Sequence, residues 1–368
     1  MKNACIVWKN TIQGEFEKQI APVRSAFYSQ GYVFDEYRIL SAIDENALRV
    51  AVQNLLQSYE NVVILTEFSN VPRAKSTLCG MFEDTGLTTT ASGIGVYAKG
   101  TQTTFLLALD DSQWGETYAK EVCFPYLERK YNVRMQSTVI RCIGANAQHV
   151  ENLLSQIRAL GQGSIICACD REHGEDTVRI FYDENIPKKL ADDATRLLLE
   201  GLGDSVYAVD DVGIAEQLVR MLTVRGKKIS VAESFTGGGV ARSIVRVPGA
   251  SAVYFEGLNT YDELAKIKRL GVTEYTLQSY GAVSDQTAYE MAAGLIATGT
   301  CDICIATTGL AGPKTDKSML PVGLCYIAIG TKERVFVYRY KFDGDREEIT
   351  ETAIKHALFL AYKQLKNI

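Results

Sequence analysis

Residues 232–251 read AESFTGGGVARSIVRVPGAS, and they organise the reading of the whole chain. The apolar run Ile229, Ser230, Val231, Ala232 reads as a strand, and it ends in a carboxylate, two hydroxyls and three consecutive glycines. A helix-like stretch begins at Val240 and stops at Pro248-Gly249. Strand, glycine turn and helix together aim backbone N–H groups and small hydroxyls at one point. Such a point suits a phosphate or an oxyanion. The plainer alternative is a tight turn that needs glycine for positive φ.

Outward from this stretch, strands are expected at Ala252–Tyr261, Asp302–Thr308, Val322–Gly330 and Glu333–Phe342. Helices are expected at Val212–Arg225, Val240–Arg246, Asp285–Thr298 and Arg346–Gln364. Earlier in the chain, Ala4–Trp8, Asn61–Thr66 and Thr103–Leu109 read as strands, and Glu15–Gln30 and Asp44–Ser58 as amphipathic helices. Gln113–Lys130 reads as a helix broken at Pro125. This alternation predicts a sheet covered by helices. Between the two regions lies a smaller α+β unit: helix Ala147–Ala159, strands Ser164–Cys169 and Thr177–Tyr182, and helix Pro187–Leu199. The fold class expected is therefore α/β, in three domains at 1–140, 141–210 and 211–368.

Composition narrows the function classes. The chain of 368 residues is 46% hydrophobic and 23% charged, the balance of a globular protein. Its net charge is −5 and its Lys and Arg are scattered, which argues against nucleic acid as a partner. No window is long enough to span a membrane, and the opening residues lack a signal-peptide core, so a cytoplasmic location is expected. Nine cysteines at irregular spacing and three distant histidines give poor support for zinc. They read as buried thiols, and no metal or cofactor is expected.

Polar residues bunch at the ends of elements in the last domain. AESFTGG, PGAS, TYxxxxK, GAVS, TTGLAGP, PVG and FDGDRE follow one another between Ala232 and Glu347. In this order and spacing they resemble the C-terminal domain of the CinA family, and the resemblance covers about residues 211–368. That domain in turn resembles nicotinamide mononucleotide amidohydrolases. Full-length members place a molybdopterin-binding-like domain first and a KH-like domain second, and the size and element pattern of residues 1–140 and 141–210 fit that order.

The resemblance implies hydrolysis of the carboxamide of nicotinamide mononucleotide to nicotinate mononucleotide and ammonia. The alternative is a catalytically inactive nucleotide-binding or regulatory protein. A DNA-uptake accessory is a further rival, which the charge balance disfavours. A homodimer is expected from family habit and from the prevalence of two-fold assemblies. Amide hydrolysis needs a nucleophile, a base and an oxyanion hole. No histidine lies in the motifs, which points to a Ser–Lys arrangement. Lys266, the one lysine inside a motif, is the expected base. Ser251 and Ser234 compete as nucleophile, with Ser251 narrowly preferred. Ser234, Thr236 and the amides of Gly237, Gly238 and Gly239 would hold phosphate or oxyanion. Tyr261 would stack on the pyridinium ring, Thr308 and the Gly309 amide would line the far wall, and Arg346 would hold the phosphate. Glu233 is read as orienting its neighbours by accepting hydrogen bonds. The structural alternatives are a turn-capping Ser251, a solvated Lys266, a core Tyr261, and an Arg346 paired with Asp345 or Glu233.

The chain also departs from the family. Where members read Tyr-Ser-Asn-Glu, this chain has Tyr261-Asp262-Glu263-Leu264, and two carboxylates beside Lys266 would favour its charged form. Lys314–Ser318 replaces a glycine-rich segment, and Leu320 replaces a lysine. In the first domain, Thr66–Lys75 replaces a glycine-rich loop with paired aspartates. That disfavours a pyrophosphatase activity there. The middle unit lacks a GxxG loop, so its KH-like shape does not imply RNA binding.

Overall fold

The structure, a computed structural model, describes residues 2–10, 16–82, 87–89, 94–108, 112–313 and 319–367. The expectations that fall on Glu15, Leu109 and Lys314–Ser318 lie outside the described residues. The fold is α/β with three sheets among the described residues. The chain divides into two compact units, Met1–Thr138 with Ile157–Ala168 and Arg179–Ala194, and Val139–Gln156 with Cys169–Val178 and Thr195–Ile368.

In the first unit, strands β1 (Asn3–Lys9), β2 (Phe34–Ser41), β3 (Asn61–Thr66), β4 (Leu87–Thr89), β5 (Gly95–Lys99) and β6 (Gln102–Ala108) form one sheet in the order β2-β1-β3-β6-β5-β4. β2, β1, β3 and β6 run parallel, and β5 and β4 are antiparallel. β1 and β3 are buried along their whole length, which explains why they read as continuous apolar runs rather than alternating ones. Helices α1 (Phe16–Ser29), α2 (Glu45–Leu55) and α3 (Val71–Phe82) accompany the sheet, and Asp44 caps α2 by accepting from the amides of Asn46 and Ala47. α3 begins inside Thr66–Lys75, so the stretch read as a substituted loop is largely helical.

The expected break at Pro125 is absent. α4 (Ser112–Tyr118) runs through a π-helical turn, Ala119–Cys123, into α5 (Phe124–Tyr131), where Pro125 occupies the first turn. The wider turn places the proline where its missing N–H costs little. A second sheet comprises β7 (Met135–Ile143), β8 (Ile165–Glu172), β9 (Glu175–Asp183) and β10 (Val206–Ala208), in the order β10-β7-β9-β8. Helices α6 (Ala147–Gly161) and α7 (Lys188–Leu202) lie between these strands in sequence.

The third sheet, in the second unit, positions the site. β11 (Ile229–Glu233), β12 (Tyr254–Asn259), β13 (Ile303–Gly309), β14 (Leu324–Thr331) and β15 (Val335–Lys341) lie in the order β12-β11-β13-β14-β15. β12, β11 and β13 are parallel, and β14 and β15 return antiparallel. Alternation sorts the side chains between two faces. Ile229, Val231, Ile303, Ile305, Ile327 and Ile329 pack with α8 (Ile214–Arg225), α9 (Gly239–Val245) and α13 (Arg346–Asn367). Ala232, Cys304, Ala306 and Ala328 form a core with residues of α10 (Glu263–Leu270) and α12 (Asp285–Ala297). A short helix, α11 (Glu274–Tyr280), precedes α12, whose N-cap is Ser284 as the sequence predicts.

The small side chains on this second face let the helices pack close to the strands. α10 and α12 themselves meet so tightly at Gly294 that an added Cβ would lie 1.7 Å from the Leu270 carbonyl oxygen. Backbone, unlike a flexible side-chain tip, cannot swing aside. Gly294→Ala is therefore expected to destabilise the second unit by about 1–3 kcal/mol despite its gain in helix propensity. Denaturant unfolding of both proteins checks this, and an unchanged midpoint would contradict the packing argument.

Candidate active site

The parallel strands β12, β11 and β13 end together, and the chain leaves β11 toward opposite neighbours on its two sides. Such a switch point opens a crevice at the carboxyl ends of the strands. Glu233, the last residue of β11, is paired with Asn259 on one side and Thr307 on the other. The ladder continues one step into the turn: Ser234 N–H donates to Thr307 O (3.1 Å), and Thr260 N–H donates to Glu233 O (2.7 Å). Ser234, Thr260 and Thr307 are thus fixed by backbone bonds before any side chain acts.

Glu233 is 1% exposed and its carboxyl group accepts four hydrogen bonds. Oε2 receives Thr236 Oγ1 (2.7 Å), Gly238 N (3.1 Å) and Val240 N (3.0 Å), and Oε1 receives Ala241 N (2.8 Å). Because Thr236 must donate to Glu233, the 2.7 Å contact between Thr236 and Thr307 makes Thr307 the donor there. The orienting role read for Glu233 is what this geometry supplies.

The same bonds correct the anion-binding role expected of the glycines. Gly237 N donates to Ser234 O (3.0 Å) and Gly239 N to Thr236 O (2.9 Å), so all three glycine amides already have acceptors within the chain. The internal carboxylate takes the place an external anion would occupy at this helix start. The glycines have other reasons to be there. Gly237 and Gly238 stand at φ +60° and +95°, where a side chain is strained, and a Cβ on Gly239 would strike Ile354 of α13 at 2.2 Å.

Lys266 lies in the first turn of α10, which Asp262 caps by accepting from Leu264 N (2.8 Å). This lysine is 1% exposed, so it is not a solvated helix residue. Its Nζ lies 3.0 Å from Ser234 Oγ, 2.8 Å from Thr260 O and 3.2 Å from Tyr261 O. Burial lowers its pKa below the ordinary lysine value, against the opposing pull of Glu263 and Asp262. The two carbonyls can only accept, so they fix two N–H groups. The third contact, to a hydroxyl, leaves a neutral amine's lone pair facing Ser234 Oγ–H.

The remaining sequence candidates are placed differently. Ser251 is exposed on the short 3-10 turn Ala250–Ala252. Thr308 is buried and donates its hydroxyl to Ala282 O (2.5 Å). Gly309 sits against β14, where a Cβ would lie 2.5 Å from that of Cys325. Tyr261 is 64% exposed and so is not a core residue. Arg346 donates to Gly312 O (2.7 Å) and, at 3.4 Å, to Tyr261 OH, rather than pairing with Asp345 or Glu233. It joins the start of α13 to the TTGLAGP segment and to the rim at Tyr261. Thr307 and Thr260 were passed over as functional residues. The strand register pairs Thr307 rather than Thr308 with Glu233, and nothing in the motif itself distinguishes the two threonines.

Among the described residues no group of three or more His, Cys, Asp or Glu side chains could hold a metal ion. Seven of the nine cysteines are buried, Cys79 is half-buried and Cys169 is exposed, the last against the expectation of buried thiols. No helix among the described residues is long and apolar enough to cross a membrane.

Residues 211–365 match the model of the CinA C-terminal domain. The chain belongs to the CinA family. A competence-damage inducible protein of Caldicellulosiruptor saccharolyticus is 39% identical over 251 residues, 67% of this chain and 61% of that protein. One from Thermoanaerobacter pseudethanolicus is 34% identical over 68% of this chain and 60% of that protein. The aligned chain thus spans about 60% of the length of these relatives. Among solved structures, the competence/damage inducible protein CihA of Agrobacterium tumefaciens is 35% identical, covering 42% of this chain and 97% of that one, with a TM-score of 0.40.

Removing the carboxylate that organises this CinA turn should be costly. Glu233→Ala leaves three backbone amides and the Thr236 hydroxyl without their acceptor, an expected loss of about 3 kcal/mol or more. Chemical unfolding measures it, and a loss below about 1 kcal/mol would show that water or a rearranged turn takes over the acceptor role.

Proposed function

We propose that this site hydrolyses the carboxamide of nicotinamide mononucleotide, giving nicotinate mononucleotide and ammonia, with Ser234 as nucleophile and Lys266 as base. The observation that carries the reading is the 3.0 Å contact between the buried Lys266 Nζ and Ser234 Oγ. Neutral Lys266 accepts the hydroxyl proton as Ser234 Oγ bonds to the amide carbon. The lysine then returns that proton to the departing nitrogen, releasing ammonia and leaving an ester on Ser234. Water attacks the ester as Lys266 takes its proton, and the lysine returns that proton to Ser234 Oγ as the nucleotide acid leaves, restoring the neutral pair. The exposed Tyr261 ring and the Arg346 guanidinium stand at the rim, where they suit the pyridinium ring and the phosphate. The identity of the nucleotide rests on the family resemblance.

The 3.0 Å contact favours Ser234 over Ser251. Ammonia release from nicotinamide mononucleotide is expected to fall at least about 10³-fold in Ser234→Ala and in Lys266→Met, and far less in Ser251→Ala, on the scale of nucleophile and general-base removal. Full activity in Ser234→Ala would remove it from the mechanism. A second reading, nucleotide binding without turnover, draws on the carboxylates of Asp262 and Glu263, which favour charged Lys266. Thermal stabilisation by the nucleotide without ammonia release would select that reading.

The pH dependence follows from the same pair. The base is the neutral lysine and burial lowers its pKa, so kcat/KM should rise with pH and level off below the range where an ordinary lysine titrates. Glu263 raises that pKa, so Glu263→Gln should move the inflection to lower pH. An unmoved profile in this variant would contradict Lys266 as the titrating base.

A further inference from the structure

Helices α11 and α12 bound a cavity of about 520 Å³ in the second unit, and none of its lining residues belongs to the site described above. Its walls carry Tyr275 and Tyr280 from α11, Tyr289 from α12 and Val337 from β15. The three rings are 68%, 49% and 50% exposed. One tyrosine at a surface needs no explanation, but three about one cavity form a patch that does. Their hydroxyls have no hydrogen-bond partner among the described residues, so internal hydrogen bonding does not account for the rings. Tyr275 and Tyr280 meet at 6.3 Å between ring centroids with their planes 82° apart, and so form a corner.

The charged groups of the cavity are of one sign. Asp285 and Glu290 line it, and among the described residues no Lys, Arg or His does. Both carboxyl groups already accept bonds from the chain. Glu290 Oε2 takes the amide of Thr273 (2.7 Å), and its Oε1 takes the Thr276 hydroxyl (2.6 Å). Asp285 Oδ1 takes the amide of Gln286 (3.0 Å). A carboxylate so engaged keeps its charge but has less to offer a guest that must itself donate hydrogen bonds.

We infer that this cavity binds an organic cation whose charge sits on a fully carbon-substituted nitrogen, an alkylated ammonium or an N-alkylpyridinium. Tyrosine rings attract a cation within about 6 Å of the ring centroid, and they require no N–H from it. The two carboxylates add an attraction that does not depend on direction, which suits a centre that is charged yet cannot donate. A primary ammonium or a guanidinium would lose hydration here and find its acceptors partly taken. An anion would meet two like charges. The inference is independent of the chemistry assigned to Ser234 and Lys266, neither of which lines the cavity.

The test is titration of the full-length chain with choline and with N-methylpyridinium at constant ionic strength, followed by magnetic resonance of the ligand's methyl protons. At least one of the two should bind with a dissociation constant of about 1 mM or tighter, and the tighter names the kind of cation the cavity takes. The neutral isostere of choline, with a quaternary carbon in place of the nitrogen, should bind at least about tenfold more weakly than choline where choline is the guest. Tyr275→Leu and Tyr289→Leu should each weaken the bound cation about fivefold. Asp285→Asn should also weaken it, while leaving the neutral isostere unaffected. Both tyrosines are exposed, so thermal melts should show folded variants, and if one fails to fold the other decides. Absence of binding by both cations, guanidinium binding as tightly as either, or binding indifferent to a folded tyrosine variant would each overturn the proposal.

Discussion

Four hydrogen bonds to the buried carboxyl group of Glu233 hold the second unit's site together. A helix start presents N–H groups with no partner inside the helix, and these demand an acceptor. In α9 that acceptor comes from the strand preceding the turn, so strand, turn and helix are locked by one side chain. The carboxyl group also takes the Thr236 hydroxyl, which in turn receives that of Thr307, and so ties the turn to the neighbouring strand β13. Ser234 sits between these anchors, with its own amide bonded to Thr307 O. The turn is satisfied from within, and the Ser234 hydroxyl takes no part in that network but meets the buried Lys266 Nζ at 3.0 Å.

The second constraint is the balance at Lys266. An amine enclosed by protein loses hydration that Coulombic neighbours must replace if it is to stay charged. Two carbonyl oxygens and a hydroxyl satisfy its hydrogen bonds without contributing a negative charge. Asp262 and Glu263 do carry charge, but both are exposed, where water and salt weaken their pull. Burial acts at short range and is not screened, so its direction prevails. The departure from the family at residues 262–264 thus moderates the lysine without reversing the lowered pKa. Asp262 has a local task as well, since its carboxyl group caps the helix that carries Lys266.

Much of this was legible in the sequence. The strand–turn–helix unit showed itself because β11 is a mostly apolar stretch ending in Glu233 and α9 follows glycines that tolerate positive φ. Lys266 stood out as a lysine inside a polar motif, and Glu233 as an acceptor at a helix start. The choice between Ser234 and Ser251 was not legible, because motif spacing does not reveal which serine the α10 lysine reaches. Nor was the engagement of the glycine amides, since a glycine run reads alike whether its N–H groups face a ligand or a carboxylate of the chain. The π-helical turn at Ala119–Cys123 escaped for a related reason. A proline signals an interruption of hydrogen bonding, and only the flanking geometry decides whether the chain breaks or widens by one residue.

The two parallel-cored sheets of this chain meet the same topological situation and resolve it differently. In the first sheet the switch point lies between β1 and β3, and the residues just beyond their ends are Asn10 and Glu67. There Asn10 donates to Glu67 (2.9 Å) and to Asn70 (3.4 Å), and Asn70 donates to Glu67 (3.4 Å). Asn10 is exposed, Glu67 half-buried and Asn70 buried, and these polar groups satisfy one another. Beyond β11 and β13, by contrast, a lysine is enclosed at 1% exposure, with a serine hydroxyl as the only contact of its amine that can exchange a proton. Burial lowers the pKa of the lysine in the second arrangement, whereas the first is a hydrogen-bonded closure of neutral amides about one carboxylate. The two switch points share a strand order and differ in what their strand ends enclose: an amide–carboxylate network in the first, a buried lysine against a serine hydroxyl in the second.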